Sequence, residues 1–313
     1  MLILMRMKKA GNKAIHRITL LIAVLTAACC LSSGTGLDVY AAMPAAASPQ
    51  TATSSQAAAE ITLDPNWTYA DHSLINTGAA RLYRATANRK NVVVGVNAGH
   101  GTRGGYKAKT LCHPDGSPKL TGGSTAAGSI RAAAVSGGMS FKDGTSEGTV
   151  TLQAAVALKE MLLADGYDVL MLRDDADVQL DNVARTVIAN NKANCLISLH
   201  WDGDRLSYDK GCFYISTPEK LKSMEPVSQH WEQHEKLGEA LISGLKDAGC
   251  KIYRKGSAPI DLTQMSYSTI PSVDVELGNQ CSAHDEQATR LIAEGLRRGV
   301  KLFYGQQAST PAQ

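Results

Sequence analysis

Two histidines and two glutamates stand where the local sequence ends a strand or begins a helix. His100 and His200 each follow directly on an apolar, strand-forming run, and Glu276 closes a third run of this kind. Glu147 directly precedes a helical pattern. Two imidazoles and one carboxylate form a common ligand set for a catalytic zinc ion, and a second carboxylate can then act as general base. The residue types therefore point to metal-assisted hydrolysis.

The elements around these residues predict an α/β fold. Apolar runs of strand length alternate with helical patterns, which indicates a single domain with a mixed, mostly parallel sheet sandwiched by helices. A run that is apolar throughout, such as residues 92–96, is typical of a strand covered on both faces. Parallel strands end at one edge of the sheet, where ligands usually bind. We therefore expect a zinc site at the carboxyl ends of the strands.

Helical periodicity defines the segments between the strands. A helix is predicted from Glu147 to Asp165, with Ser146 as its N-cap and Gly166 as its stop. Apolar residues at i, i+3, i+4 spacing between 180 and 188 predict a second helix. Two further helices are predicted at residues 229–248 and 286–303.

Four other histidines carry weaker signals. His230 and His234 lie four residues apart on a predicted helix, a spacing that suits a metal. Their sequence, His-Trp-Glu-Gln-His, lacks the glutamate beside the first histidine that serves as base in HExxH peptidases, so a solvated helix face is favoured. His113 and His284 lie in polar loops and indicate no site.

A long polar segment, residues 101–146, separates the first histidine from the first glutamate. Eleven of the 28 glycines fall between Gly101 and Gly148. Long segments without regular structure are uncommon inside compact domains and are often functional. The segment is either a loop that lines or gates the site or a tolerated surface insertion, and the sequence leaves both open.

The amino-terminal part of the chain lacks the character of a folded core. Residues 1–41 combine five basic residues with an apolar run at 18–31, shorter than the roughly 20 residues of a membrane span, and predict a secretory signal peptide. Lipoprotein anchoring through Cys29 or Cys30 is the less favoured alternative. Residues 42–60 are rich in Ala, Ser, Thr and Gln and predict a disordered linker.

The rest of the chain predicts one domain. Residues 61–90 are expected to form an N-terminal extension packing on a main domain at 91–307, followed by a tail at 308–313. Loss of residues 1–41 removes five of 32 basic and one of 29 acidic residues, so the formal net charge changes from +3 to −1. That balance gives no electrostatic basis for nucleic-acid binding. We expect an extracytoplasmic protein without a transmembrane helix in its mature chain.

Five cysteines follow the predicted signal peptide, an odd number that requires at least one free thiol or an intermolecular bond. None shows Cys-x-x-Cys spacing, which argues against a cysteine-bound zinc. Cys195 and Cys212 sit in apolar runs and are expected to be buried. The five are Cys112, Cys195, Cys212, Cys250 and Cys281.

Taken in order, the motifs resemble the zinc-dependent N-acetylmuramoyl-L-alanine amidases of the amidase-3 type. The resemblance covers roughly residues 91–304. It rests on Asn-Ala-Gly-His-Gly at 97–101, Glu147 before a helix, Arg185 through Asn190, Ile-Ser-Leu-His at 197–200 and Val-Glu-Leu-Gly at 275–278.

The resemblance implies an activity and a role for each site residue. His100, Glu147 and His200 would bind Zn²⁺, and Glu276 would be the catalytic glutamate. The substrate would be peptidoglycan, cut at the amide between N-acetylmuramic acid and L-alanine in cell-wall remodelling or lysis. The protein would then work in the cell wall, with an unidentified regulator as a further partner. Arg185 and Asn190 match positions that look structural in the family.

Four features depart from the family pattern. Asn97 replaces the usual aspartate, Trp201-Asp202 replaces a small residue and an asparagine, and Gly278-Asn279 replaces Gly-Phe. The spacing between His100 and the first glutamate is also longer than usual. Glu160 is therefore an alternative third ligand, and Glu147 is preferred for its place at a helix start.

Two rival functions remain. One is another exported zinc peptidase that acts on stem peptides. The other is a non-catalytic wall-binding module, which the presence of all four polar residues disfavours.

Overall fold

The computed structural model describes residues 58–308. The predicted signal peptide, with Cys29 and Cys30, lies outside these residues, as do most of the predicted linker and residues 309–313 of the tail. Among the described residues, no helix is both long enough and apolar enough to cross a membrane.

Ten strands and five α-helices make up the described chain. The strands are β1 (Ala59–Ile61), β2 (Ala80–Tyr83), β3 (Val93–Ala98), β4 (Lys109–Leu111), β5 (Arg131–Ala133), β6 (Asp168–Met171), β7 (Cys195–Asp202), β8 (Cys212–Ser216), β9 (Ile252–Pro259) and β10 (Ser272–Asn279). The helices are α1 (Glu147–Ala164), α2 (Asn182–Lys192), α3 (Val227–Asp247), α4 (Thr263–Tyr267) and α5 (Glu286–Ala308), with two short 3-10 turns at Ala70–His72 and Glu219–Leu221.

Eight strands form one sheet in the order β1-β2-β6-β3-β7-β10-β8-β9. The four central strands, β6, β3, β7 and β10, run parallel. β2 and β8 border this group in the antiparallel direction. The predicted mixed, mostly parallel sheet is confirmed. The carboxyl ends of β3, β7 and β10 therefore meet at one edge.

Helices cover both faces of the sheet. The larger core lies between the sheet and α1, α3 and α5, which also pack on one another. The smaller core lies between the sheet and α2. Helix α1 packs against both the sheet and α5, which explains why it is apolar on more than one face. Leu158 of α1 and Leu296 of α5 are completely buried in the larger core. The predicted α/β layering is confirmed.

The ends of α1 agree with the sequence signals. Ser146 accepts a hydrogen bond from the backbone N–H of Thr149 at 3.3 Å, as an N-cap does. Gly166, directly after the C-cap residue Asp165, has a φ of 90°, a left-handed conformation that terminates the helix. The start of α1 at Glu147 is thus set by local chemistry.

The predicted linker and extension differ from the structure at their boundary. Ala59 and Glu60, placed in the linker by composition, pair with Leu82 and Arg81 in β1 and β2. The predicted extension also forms part of the main sheet, because its strand β2 pairs with β6. A three-residue edge strand is too short to show a periodic pattern, and its pairing with a partner about 20 residues away decides its structure.

Residues 101–146 are more ordered than their composition suggests. They contain the two-stranded sheet of β4 and β5. His113, which gave no signal in the sequence, is completely buried, with its Nε2 2.9 Å from Asp261 Oδ1 and its Nδ1 2.7 Å from Ser117 Oγ. The backbone N–H of Leu120 also donates to Asp261, at 2.5 Å. The segment is therefore pinned to the connection between β9 and α4.

The five described cysteines are free thiols, and Cys195 and Cys212 are buried as predicted. The prediction of a solvated face for His230 and His234 is wrong for His234. It is only 2% exposed, and its Nδ1 accepts the backbone N–H of Ser272 at 2.9 Å. Helix α3 turns this side chain toward β10, so His234 has a structural role.

His234 should make the protein sensitive to acid. Burial lowers its pKa from 6.5 to about 3. Between pH 6.5 and 3, His234 binds a proton in the unfolded state but not in the folded state. Its contribution to the free energy of unfolding is therefore full above pH 6.5 and is lost as the pH falls toward 3, by at most about 1.4 kcal/mol per pH unit. We expect His234→Gln to flatten the fall in unfolding free energy between pH 6.5 and 4.5, measured by urea denaturation. His230→Gln, one turn away and partly exposed, is the matched control; an unchanged slope in His234→Gln would contradict the prediction.

Candidate metal centre

A tight turn after β3 carries His100. The φ of His100 is 67°, a left-handed conformation that is uncommon for a residue other than glycine. A Cβ at Gly99 would lie 2.3 Å from Cε1 of His200, and a Cβ at Gly101 would lie 2.5 Å from Cδ of Arg173. Both neighbours of His100 must therefore be glycine, which explains the Gly-His-Gly motif.

The backbone of Ser136 orients the His100 ring. His100 Nδ1 lies 2.9 Å from the carbonyl oxygen of Ser136 and donates its proton to it. The other ring nitrogen, Nε2, is then left with its lone pair toward the site. Ser136 belongs to residues 101–146, and nothing in its sequence context indicated this role.

Arg185, predicted to be structural, supports the same turn from α2. It is completely buried and donates to the carbonyl oxygen of His100 at 2.7 Å and to Asn97 Oδ1 at 3.0 Å. Asn97 in turn donates to Ser198 Oγ at 3.2 Å. The asparagine that replaces the usual aspartate thus links Arg185 to β7. Asn190 does not contact the His100 turn. Its side-chain amide donates to the carbonyl oxygen of Tyr267 at 2.8 Å.

Glu147, the first residue of α1, is held by two backbone donors. Its Oε2 accepts the N–H of Met139 at 2.8 Å, and its Oε1 accepts the N–H of Trp201 at 2.9 Å. The side chain is buried, which by itself raises its pKa, but hydrogen bonds with His100 and His200 outweigh burial and hold the pKa well below its usual range. Glu147 is therefore ionised. Glu160 is exposed on α1 and lies outside this cluster.

His200 completes the cluster from β7. Its Nδ1 is 3.1 Å from Glu147 Oε1 and 3.2 Å from His100 Nε2, and His100 Nε2 is 2.8 Å from the same carboxylate oxygen. Burial lowers the pKa of His200, but the hydrogen bond to Glu147 reverses this and raises it to about 9. The three predicted ligands therefore converge, although they lie in three separate segments.

The spacing of these atoms suits a metal ion. The candidate ligand atoms of His100, Glu147 and His200 lie within 4.8 Å of one another. Tetrahedral zinc with bonds of about 2.0–2.1 Å separates its ligand atoms by roughly 3.3 Å, close to the observed distances. Two imidazole nitrogens and one ionised carboxylate are also the donor types that zinc prefers. The residues fit the predicted group.

Glu276 lies beside the cluster on β10, opposite His200 in the parallel pair β7–β10. Its Oε2 is buried and has no hydrogen-bond partner among residues 58–308. Burial raises the pKa of Glu276 well above its ordinary value. Asp274, two residues earlier on the same face, is also nearly buried, and burial raises its pKa too. In the sequence, Asp274 is one polar residue within a strand and carries no signal of a site.

A groove of about 910 Å³ opens over these residues. It is lined by the histidine and glutamate cluster with Asp274 and Glu276, and by Lys119, Gly122–Thr125 and Ser136–Met139. Trp201–Gly203 and Arg205 also line the groove. Residues 101–146 thus line the groove, as the functional alternative for this segment requires.

Residues 94–298 match the amidase-3 family model, described as N-acetylmuramoyl-L-alanine amidase. The chain belongs to this family. The family acts on peptidoglycan and is generally metal-dependent, which agrees with the cluster at the end of the sheet. This amidase has no significant match among curated protein sequences.

Solved amidase structures share the fold of this amidase. The N-acetylmuramyl-L-alanine amidase Ami1 from Mycobacterium smegmatis is 19% identical, with a TM-score of 0.58, over 71% of this chain and 100% of that one. Ami1 from Mycobacterium abscessus is 18% identical, with a TM-score of 0.56, over 68% and 99%. The CwlD amidase from Clostridioides difficile, solved in complex with the GerS lipoprotein, is 19% identical, with a TM-score of 0.50, over 69% and 100%.

Two departures from the family pattern, Trp201 and Asn279, lie at or directly beside residues that line the groove of this amidase. Asn279 is completely buried and donates to Asp204 Oδ1 at 3.1 Å and to the carbonyl oxygen of Tyr208 at 3.0 Å. It therefore holds the loop after β7. Trp201 is buried and meets Phe141 edge-on, with ring centroids 5.9 Å apart.

His284, which also gave no signal in the sequence, contacts the same aromatic residue. Its ring stacks on Phe141 with centroids 3.9 Å apart, and its Nε2 lies 3.0 Å from Asp143 Oδ2. These contacts tie the end of residues 101–146 to the segment after β10.

Proposed function

We propose that this amidase hydrolyses the amide between N-acetylmuramic acid and L-alanine in peptidoglycan, with zinc held by His100, Glu147 and His200. The observation that carries the proposal is the convergence of two imidazole nitrogens and one ionised carboxylate beside Glu276 in a groove. The family match supports the amidase over the stem-peptide peptidase and the wall-binding module.

Each residue has a distinct part in the proposed reaction. His100, Glu147 and His200 would hold the zinc, which when bound would supply a Lewis acid to polarise the scissile carbonyl and lower the pKa of a water toward about 7. Ser136 keeps His100 in the tautomer that leaves Nε2 free to bind the metal. Glu276, whose Oε2 has no other partner among the described residues, takes the proton of the attacking water and passes it to the leaving amine of L-alanine.

The cellular setting is also part of the proposal. A substrate in the cell wall requires the protein to leave the cytoplasm, which agrees with the basic and apolar pattern of residues 1–41. Cleavage of that segment, lipidation at Cys29 or Cys30, a wall-remodelling or lytic role and a regulator all stay predictions.

The products of digestion test the proposed reaction. We expect the zinc-loaded protein to release intact stem peptides that begin with L-alanine and to leave glycan chains with free lactyl carboxylates, as read by mass spectrometry. A chelator should stop the reaction and added Zn²⁺ should restore it. Shortened stem peptides that stay attached to glycan through an intact lactyl amide would identify a stem-peptide peptidase. No cleavage by the zinc-loaded protein would contradict both the amidase and the peptidase.

A further inference from the structure

We propose that Arg173 is a positioning residue that fixes the His100 turn relative to the start of α1, and so sets the distance between His100 and Glu147. The inference rests on the proposed metal site. Arg173 follows β6 by two residues, and its local sequence indicates no role.

Arg173 holds the backbone directly before His100. The side chain is 1% exposed, and its Nε donates to the carbonyl oxygen of Ala98 at 2.9 Å. Its Nη2 lies 2.9 Å from the carbonyl oxygen of Gly99. The absent Cβ of Gly101 leaves the space that the Arg173 side chain fills. Arg173 therefore packs under the turn and binds two consecutive carbonyls in it.

The same Nη2 reaches the first turn of α1. It lies 2.8 Å from the carbonyl oxygen of Gly148 and 2.9 Å from Thr151 Oγ1. Thr151 Oγ1 also donates to the carbonyl oxygen of Gly99 at 3.0 Å. One guanidinium thus joins the turn that carries His100 to the helix start that carries Glu147. Arg185 differs, since its hydrogen bonds reach the His100 turn but not α1.

The charge of Arg173 has no carboxylate partner within hydrogen-bond or ion-pair distance among residues 58–308. Its remaining donor, Nη1, goes to the backbone oxygen of Asp175 at 2.9 Å. A planar guanidinium can serve several acceptors in different directions at once, which neither an ammonium nor an apolar side chain can do. The buried cation is therefore stabilised by the backbone of the two ligand-bearing segments.

Loss of this bridge should weaken metal binding. Residues behind metal ligands typically contribute 10–100-fold to metal affinity, because they hold the ligands in register. We expect Arg173→Met to lower Zn²⁺ affinity by about 10–100-fold. Arg173→Lys keeps the charge without the planar fork, so we expect a smaller loss in the same direction.

Arg297→Met is the matched control. Arg297 also joins α1 to another segment, through a two-point ion pair with Asp165 at 2.6 and 2.8 Å at the far end of the helix. Its loss removes a guanidinium bridge of α1 without touching the His100 turn or the start of α1 that carries Glu147. We expect it to lower the melting temperature and to leave Zn²⁺ affinity within about twofold of the wild type.

The experiment measures Zn²⁺ affinity by competition with a chromophoric chelator and the absorption spectrum of the Co²⁺-loaded protein. Weaker Zn²⁺ binding and an altered Co²⁺ spectrum in the Arg173 variants, with neither change in Arg297→Met, support the inference. Wild-type affinity and spectrum in Arg173→Met, or in Arg173→Lys if the methionine variant does not fold, overturn it. An equal loss of affinity in Arg297→Met also overturns it. A wild-type protein that binds no Zn²⁺ would overturn the proposed metal site, which is a different result from those that overturn the role of Arg173.

Discussion

Glu276→Gln should lower kcat for amide hydrolysis by about 10²–10⁴-fold while the zinc content stays at the wild-type level. Glutamine keeps the size of the side chain and cannot accept the proton of the attacking water. Metal content should not change, because Glu276 lies outside the cluster of His100, Glu147 and His200. The measurement is steady-state turnover of peptidoglycan fragments together with metal analysis of the same protein.

The pH profile gives a second test of Glu276. A general base acts in its deprotonated form, so the rate falls as the pH drops through its pKa. Burial raises the pKa of Glu276. The acidic limb of the wild-type profile should therefore lie above the ordinary carboxylate range, and Glu276→Gln should lack it.

Asp274→Asn is the control for Glu276→Gln. Asp274 lies on the same strand and face, is also buried, and is hydrogen-bonded to Ser198, whereas Glu276 Oε2 has no such partner among residues 58–308. We expect a loss of activity in Asp274→Asn that is well below the loss in Glu276→Gln. Equal losses in the two variants would contradict the assignment of Glu276 as the base.

His200→Ala should remove the bound metal, and with it the activity. Two protein ligands would remain of the three that catalytic zinc sites typically have. We expect about one zinc per chain in the wild-type protein and almost none in the variant, measured by atomic emission after dialysis against a weak chelator. Removal of the ring opens space above Gly99 and introduces no steric clash.

His284→Ala is the control for His200→Ala. His284 contacts Phe141 and Asp143 and lies outside the cluster, so its loss should leave the zinc content unchanged. Full zinc occupancy in His200→Ala would contradict the proposed ligand set.

The sequence determined the elements and the polar residues at their ends. Continuous β-branched runs predict buried strands, Ser146 and Gly166 mark both ends of α1, and the glycines around His100 mark a turn. These signals are local, so they can be read without knowing which segments each element packs against. The four predicted site residues do lie together on one edge of the sheet and its groove.

The surroundings of those residues depend on contacts between distant segments of the fold. Ser136 orients His100 across 36 positions of sequence, and His113 meets Asp261 across 148. Arg173 bridges two segments, and the face of α3 that holds His234 packs toward β10. Such contacts join segments whose own sequences look like ordinary loops, strands or polar helix faces. Their partners are brought near by the order of the strands in the sheet, which no local pattern of residues contains.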